Sequence, residues 1–292
     1  MMNKYVKNIA AVLILIATIS VFTYYFVRHP ATWQQLGNVA PANLVVIFGL
    51  YVCFTVSLAL ITLSTVGLCN VRLRRIDGLL LTMWSSIINF FGPLQSGPAF
   101  RAVYLKKAHG ISLKNYGLAT LMYYAFYATY SGLFLLSGII PWPILALLSA
   151  IGIVLLVVFL RSPLKIAKQL RALPLNQAYK LALATFLQVA ITALIYTVEL
   201  KSINPGITVH QAIIYCGAAN FALFVSITPG AIGFREAFLV FSEKLHHISP
   251  ATILTANVID RAAYVSLLGL LFLIAISLHV KKRFSVTSEL DK

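Results

Sequence analysis

Residues 44–68 contain no charged side chain, and apolar runs of similar length recur along the chain. About twenty such residues carry a helix across the hydrocarbon core of a bilayer, where a helix satisfies its own backbone amides and carbonyls. Mean hydropathy is +0.89, with 60% apolar and 10% charged residues, whereas soluble domains carry about 25% charge. The expected fold class is therefore all-α, a polytopic helical membrane protein forming one domain over residues 1–292. A net charge of +16 would point a soluble chain toward nucleic acid. Here it arises from lysines and arginines between apolar runs, and no nucleic-acid partner is expected. Cys53, Cys69 and Cys216 lie in apolar runs without Cys-x-x-Cys spacing, which reads as buried thiols. The histidines form no His-Glu-x-x-His, and His246 and His247 are adjacent, a poor spacing for chelation. No metal or cofactor is expected.

Apolar segments are predicted at about residues 8–27, 44–68, 116–140, 142–160, 181–200 and 251–279. The first exceeds the 7–15 residues of a signal-peptide core and reads as a retained anchor. Two further blocks, 79–110 and 211–247, are each interrupted by proline and glycine. If both dip into the membrane and return, six crossings put both termini in the cytoplasm. The clusters at Arg72, Arg74 and Arg75, at Lys106 and Lys107, at 161–180 and at 281–283 then all fall inside, as the positive-inside rule asks. If the two blocks crossed instead, Lys106, Lys107 and Lys114 would fall outside. The expected location is the inner cell membrane.

The second interruption, residues 226–236 (Ser-Ile-Thr-Pro-Gly-Ala-Ile-Gly-Phe-Arg-Glu), and the later Asp260-Arg261 form the expected working centre. Broken backbone at membrane depth is tolerated only where protein covers it or a wet cavity faces it. Gly230 and Gly233 allow close backbone approach, and a helix starting near Ile232 would point its first amides and its dipole at an anion. An Arg, Lys or Asp at mid-membrane costs roughly 2.5–3.5 kcal/mol on the insertion scale. Keeping Arg235, Glu236, Asp260 and Arg261 there implies a use. Asp260 and Arg261 are adjacent and point apart, so each is expected to pair across helices; Glu236 can cap amides or meet Arg235, Arg261 or Arg101. The alternative is a closed salt-bridge knot that only locks the fold. Residues Thr185, Gln188, Thr192, Tyr196 and Glu199 recur at helical spacing and form one polar stripe. Tyr123, Tyr127 and Tyr130 share a helix face, which reads as aromatic packing or an interfacial belt, with ligand stacking as the alternative.

An internal echo accompanies the break. Asn89-Phe-Phe-Gly-Pro93-x-x-x-Gly97 resembles Asn220-Phe followed by Pro229-x-x-x-Gly233, within pseudo-repeats of about 44–140 and 181–279. Three crossings separate the copies, so the repeats would be inverted, with substrate held where the breaks meet; chance similarity is the alternative.

Residues 228–236 with Ile259-Asp260-Arg261 resemble the second-half signature of the lysylphosphatidylglycerol synthase transmembrane-region family, roughly Pro-Gly-Gly-x-Gly-x-x-Glu with a later Arg. Pro229, Gly230, Gly233, Glu236 and Arg261 match, and Ala231 replaces a Gly. The first-half Gly-Glu-x-x-Arg survives only as Gly97, Pro98 and Arg101. Tyr123 and Tyr124 stand where an acidic–basic pair is often seen. The resemblance implies movement of lipids across membranes or a role in lipid-linked glycan pathways. It does not imply the aminoacyl transfer of a following soluble domain, since the sequence stops at Lys292.

The expected function is translocation (flipping) of an anionic phospholipid or lipid-linked phosphate. The expected substrate-binding residues are Arg101, Pro229, Gly230, Gly233, Arg235, Glu236, Asp260 and Arg261. No ATP motif is present, so a gradient or the lipid itself would drive movement. Membrane lipids with anionic headgroups are the expected partners, with a homo-oligomer or envelope-pathway proteins as further ones. The rival is a non-transporting scaffold subunit of a glycolipid or cell-envelope pathway. An intramembrane enzyme is disfavoured, because no nucleophile–base pair is visible.

Overall fold

The computed structural model describes residues 37, 39–92, 96–162, 174–225 and 234–290. The first expected segment, 8–27, lies outside the described residues, as do Pro93 and residues 226–233, which include Pro229, Gly230 and Gly233. Every element among the described residues is helical, as the unbroken apolar runs predict. In order they are α1 (Pro41–Leu68), α2 (Arg75–Phe91), α3 (Ser96–His109), α4 (Leu113–Leu136) and α5 (Trp142–Arg161). There follow α6 (Leu175–Ile203), α7 (Val209–Val225), α8 (Phe234–Phe241), α9 (Glu243–His246) and α10 (Pro250–Leu290). The segments Pro41–Leu68, Leu175–Ile203 and Pro250–Ser277 are each long and apolar enough to cross a membrane. The 24-residue α4 includes five tyrosines, which lower its hydropathy without shortening it.

Local chemistry sets the helix ends. Pro41 opens α1 at the first turn, where a missing N–H costs nothing. Ser112 caps α4 by accepting from the Asn115 amide at 3.2 Å. His247, at φ 56°, terminates α9 in the left-handed region.

Two helices form the spine. α1 and α6 run antiparallel, with Gly67 against Gln177 at one end and Ile47 and Leu200 in one cluster at the other. Between them, Ile61 packs with Leu181 and Ala184. Hydroxyls along both helices are tied to their own carbonyls one turn back, as with Thr55, Thr62, Thr185 and Thr192. An intramembrane hydroxyl is thereby satisfied without a partner helix.

Against this spine lie two helical pairs. In the first, α3 returns along α2: Leu81 and Leu105 share a cluster with Val66, Ile111 and Tyr116. Near the reversal, a Cβ on Gly97 would sit 2.7 Å from the Ser85 carbonyl oxygen and 2.8 Å from Asn89 Cβ. Only glycine lets the backbones meet there. The Gly97 amide donates to Asn89 Oδ1 at 3.2 Å. In the second pair, α7 runs out and the chain comes back through α8 and α9. Tyr215 meets His246 with ring centroids 5.6 Å apart, and Gln211 Nε2 donates to the His247 carbonyl at 3.5 Å.

The open ends of the two pairs lie at opposite ends of α4. The first pair opens beside Tyr116, at the start of α4. The second opens beside Gly138, just past its end, where a Cβ would contact Ile214 and the Leu245 carbonyl. At 1.5 Å per residue α4 separates them by about 36 Å, so the pairs point toward each other from opposite ends of the molecule.

Candidate functional site

The two helical pairs and the spine enclose a cavity of about 240 Å³. Gly92 and Pro98 border it from the first pair, Asn220, Leu223 and Arg235 from the second. The spine contributes Tyr51, Gln188, Thr192 and Tyr196, and α10 contributes Asp260, Arg261 and Tyr264. Among the described residues, three guanidinium groups, those of Arg101, Arg235 and Arg261, border the cavity against one carboxylate, Asp260.

Each charged side chain has a definite setting. Arg235 Nη1 donates to Asp260 Oδ2 at 2.6 Å, with both side chains buried. The Tyr51 hydroxyl donates to Asp260 Oδ1, so one carboxylate ties α1, α8 and α10. The Arg235 guanidinium lies over the Tyr196 ring, 5.2 Å from its centroid, a cation–π contact that desolvation strengthens. Its Nε and Nη2 have no hydrogen-bond partner among the described residues. Arg261 Nη2 faces Glu236 Oε1 at 3.4 Å. Asp260 and Arg261 thus pair across helices and not with each other. A helical turn separates neighbouring side chains by about 100°, which forces this outcome. Arg101, from α3, donates through Nη1 to Thr62 Oγ1 at 3.0 Å. It makes no ion pair among the described residues, and its Nε is buried without a partner there.

Of the residues expected at the site, Arg101, Arg235, Asp260 and Arg261 line the one cavity, and Glu236 stands behind Arg261. Pro229, Gly230 and Gly233 fall outside the described residues. The polar stripe of α6 turns inward as a set. Gln188, Thr192 and Tyr196 reach the cavity, and Glu199 lies buried one turn beyond. Asn89 and Asn220, which occupy matching places in the internal echo, both border the cavity; Asn220 Nδ2 donates to Ser131 Oγ at 3.1 Å.

Sequence reasoning missed the tyrosines. Tyr123, Tyr124 and Tyr127 on α4 form part of the wall, with Tyr123 stacked near both others at 5.1 and 5.9 Å. The Tyr123 hydroxyl donates to Gln188 Oε1 at 3.1 Å. Tyr130 departs from this group and packs edge-on against Phe186. Tyr51 and Tyr264 also face the cavity, 5.3 Å apart. The available signal was density, and only on α4, which holds three of these five; Tyr51 on α1 and Tyr264 on α10 stand singly in their helices.

The arrangement is suited to holding an anion. Three guanidinium groups border a confined polar space among the described residues, and Arg presents planar, forked donors that match phosphate oxygens. No curated protein and no solved structure matches the chain. A family model described as "Lysylphosphatidylglycerol synthase TM region" matches residues 8–272. With nearly the whole sequence covered, the chain belongs to the lysylphosphatidylglycerol synthase transmembrane-region family.

Proposed function

We propose that this protein moves an anionic phospholipid or lipid-linked phosphate between the leaflets of the inner cell membrane, with both termini cytoplasmic. The observation that carries this reading is the cavity between the two helical pairs, where three arginines meet one lining carboxylate. At about 240 Å³ it suits a headgroup and is smaller than the roughly 300–1,000 Å³ of pockets that enclose a whole drug-sized molecule. The headgroup phosphate would draw the guanidinium groups of Arg235 and Arg101 to turn their unpartnered donors toward it, and Arg261 would add charge. In this reading the helical pairs are re-entrant, each dipping from and returning to its own face, and the two halves are inverted repeats. Rocking of one half against the other would then expose the cavity to each leaflet in turn. The role is transport and not chemistry.

A second reading has its own support. Both ion pairs join α8 to α10, as they would in a rigid scaffold subunit of an envelope pathway. Leaflet-resolved movement of labelled phosphatidylglycerol in proteoliposomes separates the two. The parent is expected to accelerate flipping, and Arg261→Ala and Glu236→Ala are each expected to slow it at least about tenfold, the loss of one charge-assisted contact. Flipping by both variants at the parent rate would remove the assigned site. A parent with no flipping would leave the scaffold.

A further inference from the structure

A second hollow, of about 450 Å³, lies between α3 and α4 and is bordered by Ala102, Leu113, Gly117 and Leu121. Pro98 and Tyr124 border both this groove and the central cavity, so the two spaces adjoin across those side chains. The groove offers a ligand almost nothing polar. Its one threonine, Thr120, turns its hydroxyl back to the Tyr116 carbonyl at 2.8 Å. Leu113 and Leu121 are exposed toward the surroundings of the helix bundle, at 49% and 66%. From Leu113 to Tyr124 the groove runs about 16 Å at the rise of an α-helix.

We infer that this groove holds one acyl chain of a lipid whose phosphate headgroup occupies the central cavity, so that α3 and α4 form the lateral passage between cavity and bilayer. The inference rests on the proposed headgroup site and adds to it the apolar half of the ligand. A headgroup tethered to a hydrocarbon chain cannot enter a polar cavity unless an apolar path leads out of it. In this inference the path leads past Pro98 and Tyr124, the two side chains that border both spaces. A free phosphate or a soluble sugar phosphate would have no use for it.

Gly117 provides the test, because a Cβ built there meets no atom within 4 Å, so a bulky side chain enters open space. Binding of two probes to the purified full chain would be measured by isothermal titration calorimetry: glycerol 1-phosphate, which has no acyl chain, and dihexanoyl phosphatidylglycerol. Gly117→Trp and, independently, Leu121→Trp are expected to weaken the lipid about tenfold or more and to leave glycerol 1-phosphate within about twofold. Unchanged lipid affinity in both variants would overturn the inference. Failure of the unsubstituted protein to bind glycerol 1-phosphate would count against the headgroup site instead. In that event, phosphatidylglycerol carrying a photoreactive group on its acyl chain decides the groove. Adducts on residues 113–124 uphold it; adducts elsewhere, or cross-links from those residues to a second copy of the chain, overturn it.

Discussion

Asp260 shows how much one side chain can organise. It accepts from the Tyr51 hydroxyl on α1 and from Arg235 on α8, so a carboxylate on α10 holds three helices at the cavity wall. Removing one partner of a buried pair leaves the other charged and uncompensated, at a cost of about 3–5 kcal/mol. Asp260→Ala is therefore expected to lower the thermal unfolding midpoint in detergent substantially. The double substitution Arg235→Met with Asp260→Leu, which removes both charges, should recover most of the loss. Equal midpoints for Asp260→Ala and the parent would mean that Arg235 is satisfied by other means. Part of this was legible in the sequence. Adjacent Asp260 and Arg261 point apart on any helix, so separate partners followed from helical geometry. The Tyr51 contact was not legible, because 209 residues separate it from Asp260 and a lone tyrosine in an apolar run reads as packing. Tyr123 and Tyr124 were opaque for the same reason: aromatic side chains serve a belt, a core or a cavity wall equally well.

Among the elements, α4 and α7 approach backbone to backbone. A Cβ on Gly217 would lie 2.4 Å from the Leu135 amide nitrogen and 2.8 Å from the Ser131 carbonyl oxygen. These are backbone atoms and cannot move aside as a flexible side chain can. Small residues at such crossings are how membrane helices gain contact without a hydrophobic driving force. Gly217→Ala is expected to cost about 1–3 kcal/mol through overpacking, read as a lower unfolding midpoint. Gly117→Ala, which faces open space, should be near neutral and serves as its control. The helices themselves were largely legible from apolar runs, with ends displaced by a few residues: α6 begins at Leu175 and α10 at Pro250, each earlier than the hydropathy predicts. Polar first turns explain the difference at α6, where Asn176 and Gln177 are helical but not apolar. The pairing of α2 with α3 and of α7 with α8 was suggested by the proline–glycine interruptions. The close approach at Gly97 depends on a three-dimensional contact with Ser85 and Asn89 that no periodicity announces.

For the whole molecule, the opposed helical pairs make a prediction about sidedness. In a background without Cys53, Cys69 and Cys216, Lys107→Cys at the open end of the first pair and His210→Cys at that of the second should label from opposite faces. Right-side-out vesicles treated with an impermeant thiol reagent are expected to modify His210→Cys and to spare Lys107→Cys. The reverse, Lys107→Cys modified and His210→Cys spared, is the result if both blocks crossed and would contradict the re-entrant arrangement. Basic residues predicted this orientation in outline, since Lys106, Lys107 and Lys114 cluster around the α3–α4 junction. The cavity itself was not readable as a volume, because its walls are drawn from eight of the described helices, whose mutual packing determines it.

The central claim is that an anionic headgroup sits between the two helical pairs. An electron cryomicroscopy map of the full chain in nanodiscs containing phosphatidylglycerol tests it most directly. The account predicts phosphate density within hydrogen-bond distance of Arg101 and Arg235, enclosed by Tyr123 and Tyr196. A map in which side chains fill that space, with lipid resolved only around the outside of the bundle, would contradict it.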